Sequence, residues 1–369
     1  MALVCQLDGY ANGVRARAIE RFLRERGHDV RVVDTYYLSR AAGGTGIRTK
    51  LPHWSPKRFL LYLVELGRRL SRGVSPRRPF SYRFFMAEQR LRRALLAPVV
   101  RDDDLDLVIC ETPADAGILF EPTSAVTLYD CPTPWADELM FEGLLTSRQH
   151  AKLRTWDRAV IEQADFVAFH WDSYAGYAVE HYPISGRNLI TLNYGCDLAP
   201  SRARYRLPLR VAYIGSLSSK FIDTALLARL SRLYPHIDVY GGPAPDPNLG
   251  LNYRGYASPE VLQHYQLGLI TCTKDELRRQ GFSAKHLEYL SYGLPVLVPS
   301  WRRNLDRLQG SVPYDEESFT CVLAQLSDER TWTRMSENAY DQARRLSWPI
   351  TLEPLASILD GIRMRHGRS

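Results

Sequence analysis

No feature of this chain marks it for an oxidising compartment or for the interior of a membrane. Its six cysteines, Cys5, Cys110, Cys131, Cys196, Cys272 and Cys321, lie far apart with no CxxC pair. Several sit inside apolar runs such as Leu107-Val108-Ile109-Cys110, where a thiol packs as a small hydrophobe. They are expected to be reduced and buried, as in a cytoplasmic protein. The N-terminus, MALVCQLDGY, has no basic segment leading into a long apolar stretch, so no secretory signal is expected. The apolar stretch at residues 59–64 is far short of the roughly 20 residues that span a bilayer. Any membrane contact is therefore expected to be peripheral. Metal-ligand spacing is absent too, since no cluster of His, Cys and carboxylate residues has it. Asp102-Asp103-Asp104 precedes a strand pattern rather than ending one and reads as a solvated turn.

What is present is globular: 45% hydrophobic and 24% charged residues over 369 positions, enough for two cores of roughly 150–200 residues each. The charge is uneven. Residues 40–101 carry fifteen Lys/Arg against only Glu65 and Glu88, a net of +13 in a chain whose total is +7, so the rest carries −6. Such a block points to an anionic partner or to a solvated basic face.

Two α/β series follow one another. The first opens with an apolar run at 2–7, a loop through Gly9 and Gly13, and a helical pattern on Val14, Ala18, Phe22 and Leu23 closed by Gly27. Strand patterns come next at 30–33, 105–110, 125–129 and 166–169. The second series has strands at 210–214, 237–240, 267–272 and 295–299, with helices at 223–233 and 285–292. Strand, glycine turn, helix, strand is the unit that builds parallel sheets, and two such series predict two doubly wound, Rossmann-like domains facing a cleft. The expected division is 1–200 for the first domain, 201–345 for the second and 346–369 for a C-terminal helix returning to the first. Residues 39–98 interrupt the first series, with a predicted helix at 56–70 whose Phe59, Leu63, Leu66 and Leu70 share one face.

The stretch Gly281-Phe282-Ser283-Ala284-Lys285-His286-Leu287-Glu288, continuing to Gly293-Leu294-Pro295, resembles the donor-binding signature of GT-B glycosyltransferases, especially family-4-like bacterial enzymes and the xanthan glucuronosyltransferase group. The resemblance implies a nucleotide-sugar donor, by default UDP-linked, whose pyrophosphate meets a helix N-terminus. It implies that Lys285 reaches the phosphates and that Glu288 bonds the ribose. The physics agrees, since a helix N-terminus offers unpaired N–H groups to anionic oxygens, and Lys285 and Glu288 lie three apart on one helical face. The competing reading is an ordinary surface ion pair. Asn193-Tyr194-Gly195-Cys196-Asp197 is similar to the element closing the first domain of these enzymes. Gly215-Ser216 after a strand is similar to their phosphate-approaching turn, with Lys220 nearby as a further contact, and Ser347-Trp348 is similar to their terminal segment. The likeness covers about 125–365 well and 1–35 loosely. One departure is Gln280, which stands where many relatives carry a glutamate for the sugar ring.

An inverting transfer needs a base within reach of the acceptor hydroxyl. Leu128-Tyr129-Asp130-Cys131 resembles the Tyr-Asp-Cys strand end of related enzymes, but Pro132-Thr133-Pro134 follow where further acids are usual. The candidates are Asp130, Asp137 and His170. The competing readings are a strand-end Asp capping a turn and a packed His. A retaining transfer needs no such base. Gly9-x3-Gly13 lacks the rest of a dinucleotide fingerprint and is expected to form a flexible loop admitting the acceptor, with Asp8 beside it. No cofactor or metal is expected, because Lys285 and helix N–H groups can stabilise the leaving diphosphate.

The basic block, with Trp54, Phe59, Tyr62, Phe80, Tyr82, Phe84 and Phe85 among its arginines, suits three acceptor settings. One is an anionic membrane presenting a lipid-linked sugar. Another is nucleic acid with a flipped base. The third is a small soluble acceptor under a structural lid. A non-catalytic nucleic-acid or membrane adaptor on the same scaffold is the alternative of a different class.

Overall fold

The computed structural model describes residues 1–7, 10–35, 56–57, 59–61, 63–64, 81–131, 133–182, 184–186, 188–281, 283–302 and 308–366. The chain forms two compact units, Met1–Asn193 with Leu352–Ser369, and Tyr194–Thr351.

The first unit is built on a parallel six-stranded sheet of β1 (Ala2–Cys5), β2 (Arg31–Asp34), β3 (Leu107–Cys110), β4 (Val126–Cys131), β5 (Phe166–Phe169) and β6 (Leu189–Thr191), in the order β2-β1-β3-β4-β5-β6. β1 and β3 are buried along their whole length, which is why their sequences are continuous apolar runs rather than alternating ones. The chain proceeds outward from β1 to β2, then restarts at β3 and proceeds the other way. The switch point therefore lies between β1 and β3, which pair with Ala2 opposite Val108. Helices α1 (Tyr10–Glu25), α2 (Tyr82–Val100), α3 (Trp135–Phe141), α4 (Ser147–Gln163) and α5 (Asp172–His181) accompany the sheet. A capping box between Thr146 and Gln149 starts α4.

The second unit repeats the scheme with β7 (Val211–Ile214), β8 (Ile237–Tyr240), β9 (Asn252–Tyr253), β10 (Leu267–Leu269), β11 (Val296–Pro299) and β12 (Ser311–Tyr314), ordered β12-β11-β10-β7-β8-β9 and all parallel. Its switch point lies between β7 and β10. Its helices are α6 (Thr224–Leu233), α7 (Glu276–Gln280), α8 (Ala284–Ser291), α9 (Phe319–Leu326), α10 (Glu329–Arg345) and α11 (Trp348–Thr351), and α12 (Glu353–His366) belongs to the first unit. Two doubly wound α/β units are thus present, as the strand patterns implied.

Several expectations change. Tyr194–Thr351 is one unit because residues 194–196 pair with 346–351: Cys196 N–H donates to Leu346 O at 3.0 Å and Trp348 N–H to Cys196 O at 3.2 Å. Tyr194 stacks near Trp348, with centroids 5.0 Å apart. Gly195 is required there, since a Cβ would fall 2.6 Å from the Trp348 ring.

The basic interruption ends earlier than 98, because α2 is an integral helix of the first unit. Phe85, grouped with the interface aromatics, is buried against Trp135 and Trp156 at 5.2 and 4.9 Å. Arg92 is buried between Glu88 and Asp115 at 2.9 and 2.8 Å. Arg93 and Arg101 both pair with Glu121. Part of the basic block therefore neutralises the unit's own acids.

The expected helix at 56–70 lies partly outside the described residues. Its described positions are helical but bury Leu61, whereas Phe59 and Leu63 are exposed. Leucines on nearly every side leave the periodicity too weak to choose a face. Asp8, Gly9, Trp54, Tyr62 and Phe80 also lie outside the described residues. Gly13 does not sit in a loop: it is in the first turn of α1, where a Cβ would meet Leu7 O at 2.1 Å. Val14 on the same helix is exposed. Five cysteines are free and buried as expected, but Cys321 is exposed. Among the described residues no helix is long and apolar enough to cross a membrane.

Candidate functional site

In open α/β sheets, ligands bind beyond the carboxyl ends of the strands at the switch point. In the second unit that place is the end of β7 beside β10, and α8 is aimed at it by a specific contact. Gly268 in β10 has no side chain, and a Cβ there would lie 2.4 Å from the Tyr289 ring. The ring takes that space, and its hydroxyl accepts from Ile214 N–H at 2.8 Å. Lys285 is one turn earlier on the same face of α8. Its ammonium consequently arrives at the end of β7, donating to the Tyr213 hydroxyl at 3.0 Å and lying 4.3 Å from that ring's centroid.

Gly215 makes room for it. Its φ of +134° is a glycine conformation, and a Cβ there would stand 2.8 Å from the Lys285 nitrogen. Gly241 and Gly242, at the end of β8, let the two loops touch: a Cβ on Gly242 would meet Ser216 Cα at 3.0 Å. Ser216 Oγ lies 2.7 Å from Ser218 Oγ. Ser283 is the N-cap of α8, yet its side chain makes no capping bond. Burial pushes the Lys285 ammonium down to about 8 and the Glu288 carboxyl up to about 7, the latter opposed by Lys285 itself. Lys220 is exposed on the loop after β7, whose backbone is tied to the loop after β10 by Thr273 Oγ1 donating to Lys220 O at 2.8 Å. The structure thus brings Lys285 of α8 to Gly215 at one strand end, with Ser216 next to Gly215 in the chain and Ser283 and Glu288 at the N-cap and in α8 itself.

In the first unit, Asp130 and His170 come together while Asp137 stands apart. Asp130 lies near the end of β4, wholly buried, and accepts two bonds from Arg15: Nε at 2.6 Å and Nη2 at 2.9 Å. Arg15, also wholly buried, donates further to Asn193 O at 3.1 Å and Leu192 O at 2.9 Å. Although burial raises a carboxyl, the adjacent guanidinium and His170 outweigh it and hold Asp130 well below the usual carboxylate range. A carboxylate so acidic and so occupied is a poor proton acceptor; its geometry is that of a structural clamp. His170, 3.6 Å from Asp130, is pushed down to about 4 by burial and by Arg15, so it is neutral near pH 7. Asp137, in the first turn of α3, pairs instead with His150 at 2.5 Å and Arg154 at 3.7 Å, both on α4.

Comparison with solved structures places this architecture. Sucrose-phosphate synthase from Thermosynechococcus elongatus superposes with a TM-score of 0.70 at 12% identity, covering 100% of this chain and 99% of that one. HepE from Anabaena, crystallised with UDP, gives 0.60 at 12% identity, covering 98% and 99%. The GtfA/B complex gives 0.52 at 16% identity over 74% of this chain; the chain spans only 60% of the length of that matched chain. The shared fold is that of GT-B glycosyltransferases. No protein-family model matches the chain, and no curated protein sequence matches it significantly.

Two residues escaped the sequence reading. Arg302 follows β11 and is buried; it donates to Gly281 O and lies close enough to Cys272 and Lys285 to affect both. An arginine just past the carboxyl end of a parallel strand was the available signal. Glu111, directly after β3, is wholly buried at the first unit's switch point, and among the described residues neither carboxylate oxygen has a hydrogen-bond partner. Burial, reinforced by Asp130, pushes its carboxyl well above the usual range despite Arg15 and Arg17. Only the order of the strands marks it out. Among the described residues no three His, Cys, Asp or Glu side chains gather as a metal site would require.

Proposed function

We propose that the chain is a glycosyltransferase that holds a nucleotide-sugar, UDP-linked, at the switch point of its second unit and transfers the sugar to an acceptor hydroxyl. The observation carrying this reading is the Lys285 ammonium, brought by α8 to the end of β7 against Tyr213 and the space left by Gly215. A partly desolvated cation beside a helix N-terminus and a glycine turn favours a diphosphate more strongly than the same groups in water. Ser283, with its hydroxyl uncommitted to capping, and Ser216 are assigned to phosphate oxygens, Lys220 to the rim, and Glu288 to the ribose. Charge developing on the leaving diphosphate is stabilised by Lys285 and Arg302, which involves no metal ion. The HepE structure with UDP supports the choice of nucleotide.

On the acceptor side we reassign the polar contact from Asp130, locked by Arg15, to Glu111. Burial pushes the Glu111 carboxyl up, which favours donating a hydrogen bond to the acceptor over removing its proton, and a retaining transfer needs no base here. Asp137 is left to brace α3 against α4. With Arg92, Arg93 and Arg101 engaged within the first unit, a small or lipid-linked acceptor is favoured over nucleic acid. The protein is then cytoplasmic, with peripheral membrane contact confined to the rest of the basic block.

Thermal stability against UDP, GDP, TDP, ADP and CMP tests the donor site. One nucleotide at 100 times its dissociation constant should stabilise by about 2.7 kcal/mol, and both Lys285→Ala and Glu288→Ala should weaken the shift. No shift with any nucleotide would sink the assignment and leave the adaptor reading in its place.

A further inference from the structure

At the opposite end of the second unit's sheet, before β7 and β10 begin, lies a cavity of about 800 Å³. Its lining includes Arg202, Arg204, Arg206, Arg210, His264 and Gln266, and no acidic residue among the described ones. The volume falls within the range of small-molecule pockets, about 300–1,000 Å³.

The arginines occur at every second position of Ser201-Arg202-Ala203-Arg204-Tyr205-Arg206. Extended chain sends alternate side chains to one face, roughly 6.6 Å apart. Ala203 is buried accordingly, while Arg202, Arg204 and Arg206 are exposed. The backbone beneath them is pinned by Ala203 N–H donating to Tyr292 O at 2.9 Å and Gln266 Nε2 to Arg204 O at 2.9 Å, and the Tyr205 side chain is anchored by its Oη donating to Ser327 O at 2.5 Å. Arg210 is neutralised by Asp238 at 2.7 Å, and Arg202 lies over the Tyr340 ring at 3.6 Å. The guanidinium groups of Arg204 and Arg206 have no ion pair or hydrogen bond among the described residues. Like charges held in a row on a fixed backbone repel one another, and a bound polyanion relieves that repulsion. Guanidinium forks suit phosphate oxygens in particular, and a backbone held in place lowers the entropic cost of binding.

We propose that this cavity binds a soluble ligand bearing two or more phosphate groups, at a site separate from Lys285. The test is calorimetric titration of inorganic tripolyphosphate into the full chain carrying Lys285→Ala, which disables the donor site and makes the result independent of it. Adding Arg204→Gln with Arg206→Gln should weaken binding by about tenfold or more. Arg90→Gln with Arg148→Gln, which removes the same charge from exposed positions of the first unit, should change it by less than about twofold. In the unsubstituted chain, tripolyphosphate should protect Arg204 and Arg206 from phenylglyoxal, read by mass spectrometry, which needs no variant to fold. Absence of binding at millimolar tripolyphosphate, equal weakening by both pairs of substitutions, or absence of protection would overturn the proposal. So would binding confined to phosphatidylglycerol vesicles.

Discussion

Replacing Asp130 with Asn separates a structural role from a catalytic one. Arg15 is wholly buried and directs two of its four bonds to Asp130. Asn has nearly the same shape but no charge, so the substitution leaves a guanidinium in the core without its counter-ion. Breaking a buried pair from one side costs about 3–5 kcal/mol. For a unit of this size that lowers the melting temperature by on the order of 10 °C. The assay is urea and thermal unfolding of both proteins at pH 7, repeated towards acid. Asp130 is more acidic folded than unfolded, so its contribution is complete above the unfolded value, near 3.9. That contribution is lost as the pH falls below it, and the gap between wild type and variant should close from about pH 4 downward. Replacing both partners, Arg15→Met with Asp130→Leu, should recover stability to within about 2 kcal/mol of wild type, because no charge is then stranded. A variant Asp130→Asn that melts with wild type yet loses sugar transfer would refute the clamp and restore Asp130 as the base.

Two further outcomes follow from perturbed carboxyl and ammonium groups. Lys285 in the free protein loses its proton near pH 8, so UDP affinity should fall by up to about tenfold per unit as the pH rises above that value. Lys285→Arg, which stays charged, should abolish that alkaline fall; an unchanged profile in calorimetry would remove Lys285 from the phosphate contact. Glu111 has a raised carboxyl, so the folded state is penalised as the pH climbs above the unfolded value near 4.3. Glu111→Gln removes that penalty and should be more stable than wild type at pH 8 but not at pH 4, as measured by urea midpoints. A loss of stability at both would show that the group is ionised and paired.

Much of the candidate site around Lys285 was legible because its signals are local. Lys285 and Glu288 lie within one helix, Gly215 directly ends a strand, and strand runs such as 107–110 declare burial on both faces by being apolar throughout. What could not be read was which side chains meet across the chain. Asp130 looked available because its partner, Arg15, is 115 positions away, and nothing near Asp130 in sequence indicates a buried cation. Arg92 and Arg101 counted as free charge until α2 packed beside Asp115 and Glu121. Glu111 is an unremarkable acid until the strand order sets it at a switch point.

The amino-acid sequence by itself therefore determined the two α/β series, the glycine turns and the Lys285–Glu288 face, since propensity, periodicity and helical spacing act between near neighbours. Only the tertiary structure decided that Asp130 is clamped rather than poised, that Tyr289 over Gly268 aims Lys285, and that the arginines after Ser201 ring a cavity. Those outcomes depend on burial and long-range pairing, which exist only once the sheets have formed.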